Sequence, residues 1–286
     1  MTIAAPIFGF DNRFDEATVT VGSNQALADA LKDRNTGLAW ESASTNADDT
    51  WIEATFAETV VLSLAGLFLV NLTTAAQYRL QAWSDAAKTS SVLDTGLQDV
   101  CPPDTPWPSR SWSRFNLWSG KPAEREWRRR RRKVIVPFSG PTQVRVVRFD
   151  LLDPANPDNL VRVARPFLGD AIQPAHQMDL GYERGLTPYF QAETAPSGAR
   201  DVSETRPGLS VRGTLSWLSE GEFARFHDAF VLMGATGEVV WVPHPDDLSS
   251  IQRDAMLGTL VTPRPVRRIR NGEEPYSVNL AIEEWM

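Results

Sequence analysis

The sequence is poor in the residues that most protein chemistry requires. A single cysteine, Cys101, in 286 residues excludes an internal disulfide framework and any cysteine-based zinc site. Three histidines, His176, His227 and His244, stand far apart and leave little material for metal ligation or proton transfer. The chain has no Gly-x-Ser-x-Gly elbow, phosphate-binding Gly-rich loop, His-Glu-x-x-His motif or dinucleotide fingerprint. No metal, no cofactor and no enzymatic activity are therefore expected. The N-terminus, Met1-Thr-Ile-Ala-Ala-Pro6, lacks the basic flank and long apolar core of a secretory signal. The longest apolar stretch, residues 60–72, is interrupted by Ser63, Gly66 and Asn71, and is shorter than the ~20 residues of a spanning helix. It reads as two buried strand segments turning near Ala65-Gly66. These absences predict a soluble chain made in a reducing cytoplasm, without membrane insertion.

What is present favours β structure. A length of 286 residues, at about 150 per domain, suggests two domains. Ten tryptophans and 20 prolines against four tyrosines point to a strand-rich, loop-rich architecture. Residues 16–21 alternate Ala17, Val19 and Val21 with polar partners, and residues 51–56, 78–83 and 144–152 have similar character. In the second half, Leu209, Val211, Gly213, Leu215 and Trp217 alternate as in a half-buried strand. Ser219-x-x-Glu222 forms a capping box, and Phe223, Phe226, Phe230 and Met233 recur at helical spacing up to Gly234. Strands are expected at residues 237–242 and 257–262. Asn271-Gly272 marks a hairpin turn before a last strand with Val278, Leu280 and Ile282 on one face. His244, in Val242-Pro-His-Pro-Asp-Asp247, reads as part of a polar turn, and His227 as structural. Trp40, Trp51, Trp83 and Trp217 fall in strand contexts and read as core.

One segment departs from this pattern. Between residues 98 and 133, Pro102, Pro103, Pro106 and Pro108 cluster around Trp107 and are followed by Trp112, Trp118 and Trp127, after which Arg128, Arg129, Arg130, Arg131 and Arg132 run into Lys133. Residues 110–133 carry a charge of +8, although the whole chain carries −7. Five adjacent guanidiniums repel one another unless they are counter-charged. A solvated loop and a nucleic-acid contact through phosphates are two readings. Docking of the arginines and indoles onto an acidic protein surface is the favoured third, because both residue types are enriched at interface hot spots. The acidic balance of the rest of the chain makes general nucleic-acid binding the least favoured.

Two stretches carry a family resemblance. Asn12-Arg13, Thr18-Val-Thr-Val21, Leu38-Ala-Trp40-Glu-Ser42, residues 51–56, Asn71-Leu72 and Tyr78-Arg79-Leu80, closed by residues 146–157 and 164–169, resemble a discoidin-like (galactose-binding-like) jelly roll. The second half, with its capped Phe-rich helix, Pro243-x-Pro245-Asp246 and residues 279–285, is similar to tail-tube-type sandwiches of distal tail and baseplate proteins of long-tailed bacteriophages. The fold class expected is mainly β. Residues 1–170 would form the jelly roll, with residues 98–133 as an insertion, and residues 171–286 a sandwich flanked by a helix at 220–233. The resemblance implies a non-enzymatic virion protein of the tail tip, made in the host cytoplasm. It would form a homo-oligomeric ring that continues the tail tube and contacts tail tube and tail hub proteins. The alternative function is a carbohydrate-binding module that recognises a host-surface glycan.

Overall fold

The computed structural model describes residues 5–103, 118–187, 190–194, 200–204, 208–234, 237–261, 267–268 and 276–285. Strands β1 (Ile7–Phe10), β2 (Thr18–Val21), β3 (Trp40–Glu41), β4 (Trp51–Val70), β5 (Gln77–Trp83), β6 (Ser91–Asp94) and β7 (Gln98–Asp99) precede a short helix α1 (Glu124–Trp127). Then come β8 (Lys133–Leu152), β9 (Arg162–Ile172), β10 (Glu183–Thr187), β11 (Phe190–Thr194), β12 (Arg200–Glu204) and β13 (Gly208–Leu218). Helix α2 (Glu220–Met233), β14 (Glu238–Val242), α3 (Leu248–Asp254), β15 (Met256–Leu260), β16 (Arg267–Arg268) and β17 (Tyr276–Glu284) complete the described chain. The protein is mainly β, as expected, and its strand pairing is antiparallel throughout the described ladders.

Strand β4 corrects one expectation. Residues 51–70 form a single strand of 20 residues, with no turn at Ala65-Gly66. Gly66 lies opposite both Ile135 of β8 and Phe167 of β9, so this segment is central and covered on both edges. A Cβ there would meet the Val134 carbonyl oxygen at 3.1 Å and the Phe68 ring at 3.0 Å. The glycine permits close backbone approach rather than chain reversal. Register shifts between Thr55 and Val60 and between Leu62 and Leu64 bend the strand without breaking it.

The chain's first strand joins its two halves. β1 pairs with β9 through Phe8↔Ile172 and with β14 through Ile7↔Val242. One hydrogen-bonded path therefore runs from β10 at one edge, through β1, to β6 at the other. One apolar cluster gathers residues from Phe14 to Leu168, including Trp40, Phe149 and Trp127. A second gathers Phe8, Phe10 and Phe226 with strands β13, β14 and β17. A third, with Leu64, Phe68, Ile135, Val240 and Leu257, packs between them.

Helix α2 begins as its sequence dictates. The Ser219 hydroxyl accepts from the Glu222 amide at 3.3 Å, and the Ser219 amide donates to the Glu222 carboxylate at 2.8 Å. Phe226 is buried edge-on against Phe8 and Phe10, with centroids 5.7 and 6.0 Å away. Gly234, at φ 59°, ends the helix in a conformation that side chains resist.

Trp217 is the second correction. Alternation places it in the core, yet it is 66% exposed. A register shift between Leu215 and Leu218 inserts an extra residue, and Trp217 takes φ 65°. Leu218 then occupies the inward position and is fully buried. The Asn271-Gly272 turn lies outside the described residues.

A buried ion cluster ties the halves together. Arg165 of β9 donates to both Asp15 oxygens at 2.8 and 2.7 Å and also to Glu238 of β14. The Asn12 amide group donates to Glu238 at 2.8 Å. Replacing Arg165 with Met leaves Glu238 buried with weaker partners, and breaking such a pair costs about 3–5 kcal/mol. Urea denaturation should show that loss for Arg165→Met. The double variant Arg165→Met/Glu238→Gln should recover part of it, and equal losses in the two variants would refute the assignment.

Candidate functional site

The arginine run is largely neutralised by its own chain. Trp127, expected at an interface, is fully buried, and its indole N–H donates to the Leu72 carbonyl at 2.9 Å. Arg128 pairs with Glu124 one helical turn earlier at 3.3 Å. Arg132 donates to the carbonyls of Asn71 at 2.7 Å and Leu72 at 3.0 Å. Arg131 pairs with Glu284 at 3.4 Å and donates to the Trp285 carbonyl. These contacts correct the expectation for Trp127, which is buried in the core, and give Arg131 and Arg132 acceptors within the chain. Removing guanidiniums from mutual repulsion requires acceptors, and the loops at the start of β5 and the end of β17 supply them. Arg128 and Arg129 remain exposed, Arg130 is half-buried, and Trp118 is 78% exposed. Trp107 and Trp112 lie outside the described residues.

The folded run forms one wall of a cleft of about 460 Å³. Leu69, Asn71, Arg131, Arg132, Asp158 and Arg162 are among its lining residues. The end of β4 positions the first pair, the approach to β8 the second, and the approach to β9 the third. Asn71 locks these strands together. Its amide group donates to Asp158 at 3.1 Å and to the Leu160 carbonyl at 3.0 Å, while its side-chain oxygen accepts from the Arg162 amide at 2.8 Å. Arg162 extends outward with its side chain 56% exposed and donates to Glu41 at 2.8 Å. Leu69 adopts φ 56°, a strained conformation for a branched residue, at the cleft wall.

Of this wall, the sequence singled out Arg131 and Arg132. Asn71, Asp158 and Arg162 are distant in sequence and had no motif of their own. The resemblance touched Asn71 as a pattern residue, but only the pairing of β4 with β9 brings it to Arg162.

Below the cleft lies a small cavity lined by Lys133, Glu284 and Trp285. Lys133 is buried and donates to the Ala255 carbonyl. Burial pushes its pKa down to about 8, against the opposing pull of Glu284 and Asp254. Burial likewise raises the Glu284 carboxyl above its ordinary value, despite Lys133 and Arg131.

His227 is exposed beside Asp228, at 3.5 Å. Asp247 caps α3, accepting from the Ser249 amide at 2.9 Å, in keeping with a polar turn around His244. Among the described residues, no group of three or more His, Cys, Asp or Glu side chains is arranged to hold a metal ion, and no helix is long and apolar enough to cross a membrane.

No family model and no curated protein matches the chain. Among solved structures it is similar to CpGH89CBM32-6 produced by Clostridium perfringens, with 14% identity and a TM-score of 0.36 over 55% of this chain and 98% of that one. It is also similar to a chitosan-binding module from a Paenibacillus chitosanase/glucanase, with 13% identity and a TM-score of 0.34 over 55% and 98%. A Streptococcus pneumoniae fucose binding module gives 12% identity and a TM-score of 0.35 over 56% and 95%. A likeness at this level assigns neither ligand nor activity to the chain.

The Lys133 environment has a defined pH signature. Below about pH 8 the lysine is protonated in both folded and unfolded chains. Between that pH and its ordinary value of 10.5, the unfolded chain holds the extra proton, so this residue's contribution to stability rises with pH. A shift of this size corresponds to a few kcal/mol. Denaturation measured from pH 7 to 10.5 should show that Lys133→Met lacks this rise relative to the parent. Parallel curves for the two proteins would refute it.

Proposed function

We propose that the chain is a non-enzymatic binding protein whose cleft takes an acidic saccharide of a cell envelope. The carrying observation is the convergence of Arg131, Arg132 and Arg162 on a cleft of about 460 Å³, where Arg131 is held by Glu284 and Arg162, paired with Glu41, stays more than half exposed beside Asp158. That volume exceeds what a small inorganic anion fills and suits a ligand of a few rings. The half-buried Leu69 and Ala39 give the wall apolar surface for ring faces, while the exposed Arg162 guanidinium matches carboxylate or sulfate groups. Arg162 is the most reachable of the three because Arg131 is largely covered.

Isothermal titration with oligogalacturonate and with its methyl-esterified, neutral form tests this reading. The acidic form should bind the parent, and Arg162→Ala should weaken it by about tenfold, the loss of one charge-assisted contact. Equal binding of both forms, or an unchanged affinity in Arg162→Ala, would refute an acidic ligand in this cleft.

A second reading keeps the chain as a structural component of a phage tail tip, forming a ring against tail tube and hub proteins in the virion. Its support is apolar surface away from the cleft. Val231 and Leu232, at the end of α2, are 68% and 73% exposed. Light scattering of the parent should then report a discrete oligomer that Val231→Ser/Leu232→Ser dissociates. A monomer at all concentrations would count against the ring.

A further inference from the structure

At the other end of β4 from the cleft, five strands carry an unusual outer face. Antiparallel partners share a face, so the registers place side chains in rows across β2, β4, β8, β5 and β6. One row reads Thr20, Glu53, Arg148, Gln81 and Asp94. A row to one side reads Trp51, Asp150 and Arg79. The row on the other side reads Thr18, Thr55, Val146, Trp83 and Ser91. With strands about 4.8 Å apart and rows roughly 6.7 Å apart, the face measures roughly 19 by 13 Å.

The charges on this face are paired with one another. Arg148 donates to Asp150 at 2.8 Å, lies 4.0 Å from Glu53 and stacks over the Trp51 ring at 4.4 Å. Lys88, in the turn between β5 and β6, meets Glu53 at 2.6 Å and lies 5.8 Å from the Trp83 ring centre. Its backbone is held at φ 59°, and the turn is fixed by Asp85, which accepts from the Thr89 and Ser90 amides at 3.0 and 2.7 Å. Arg79 grips Asp94 through two donors, at 2.9 and 2.5 Å, and Gln81 reaches the same carboxylate at 3.4 Å. Three cations thus offset three carboxylates, and both indoles are half-buried among them.

We infer that this sheet face is a second binding surface, for an uncharged polysaccharide chain lying across the strands. An anionic or cationic ligand would have to break a pair and leave a like charge behind. A hydroxyl both donates and accepts, so a polyhydroxyl ligand can join each pair without leaving either partner unmatched. The half-buried indoles supply flat apolar surface for the C–H faces of sugar rings between those polar contacts. The face is five strands wide, which suits the side of a chain rather than a single terminal sugar. This surface is independent of the arginine-lined cleft and of the acidic ligand proposed there.

Affinity electrophoresis of the whole protein in gels containing a soluble β-glucan, a galactomannan, a xyloglucan or polygalacturonate tests the inference. At least one neutral polymer should retard the parent. Trp83→Ala and Gln81→Ala should each weaken that retardation, by about tenfold for the indole. Arg162→Ala should leave it unchanged, whereas any retardation by polygalacturonate should follow Arg162 instead. Gln81 is half-buried and its side chain touches Asp94, so its replacement keeps the test open if Trp83→Ala fails to fold. Absence of retardation by all three neutral polymers, or undiminished retardation in folded Gln81→Ala, would overturn the inference.

Discussion

Strand β4 sets the positions of everything else in the first half. Its 20 residues pair with β2 at one end, with β8 along most of their length, and with β9 at the other end. A strand that long must twist and bend, and its two register shifts accommodate both. Because it is shared between pairings, its ends carry different surfaces. Trp51 and Glu53 belong to a broad outer face, while Leu69 and Asn71 open onto a cleft. Bringing Val70 alongside Val163 is also what sets Arg162 beside Arg132, so the cleft is a consequence of where β4 stops.

The arginine run shows how a chain resolves its own charge problem. In sequence, five adjacent guanidiniums suggest an outside partner, because local composition offers only Glu124 and Glu126 as counter-charges. The fold brings three further kinds of acceptor. Two carbonyls come from the β4–β5 connection, a carboxylate from the end of β17, and another carbonyl from the residue after it. Trp127 turns inward for a similar reason. Its indole donor finds the Leu72 carbonyl, which satisfies its polar edge and lets the ring join the core.

The legible parts of the fold were those decided locally. The capping box of α2, its phenylalanine stripe and the final strand depend on neighbours a few residues away, and the structure has them at the expected places. Where sequence reasoning failed, a distant contact prevailed. Gly66 resembles a turn residue until β8 and β9 close on both of its edges. Trp217 belongs inside by alternation, but a one-residue insertion reverses its side. The outer face of β4, β8 and β5 was invisible for the same reason. Trp51, Arg148 and Gln81 form one surface only when the registers are known, and no spacing along the chain encodes those registers. Asn71, Asp158 and Arg162 in the cleft are a further instance.

The charged groups divide by burial into two populations with different energetic roles. Arg165, Glu238, Lys133 and Glu284 have given up nearly all contact with water. Each depends on a specific partner, since an unmatched charge at such a position has no solvent to fall back on. They hold the first half, β1 and the C-terminal strands in one arrangement and are unsuited to exchange with a ligand. Arg79 and Asp94 keep 41% and 35% of their side chains exposed, whereas Lys88 and Arg148, at 39% and 29%, pair with the more covered Glu53 and Asp150, at 10% and 22%. An exposed pair such as Arg79–Asp94 contributes about 0–1 kcal/mol, so its geometry is maintained at small energetic stake. Breaking such an exposed pair therefore leaves the fold intact. The strong pairs thus stand at the junction of the two halves, where their loss would loosen the fold, and the weaker Arg79–Asp94 pair on the open face, where it would not.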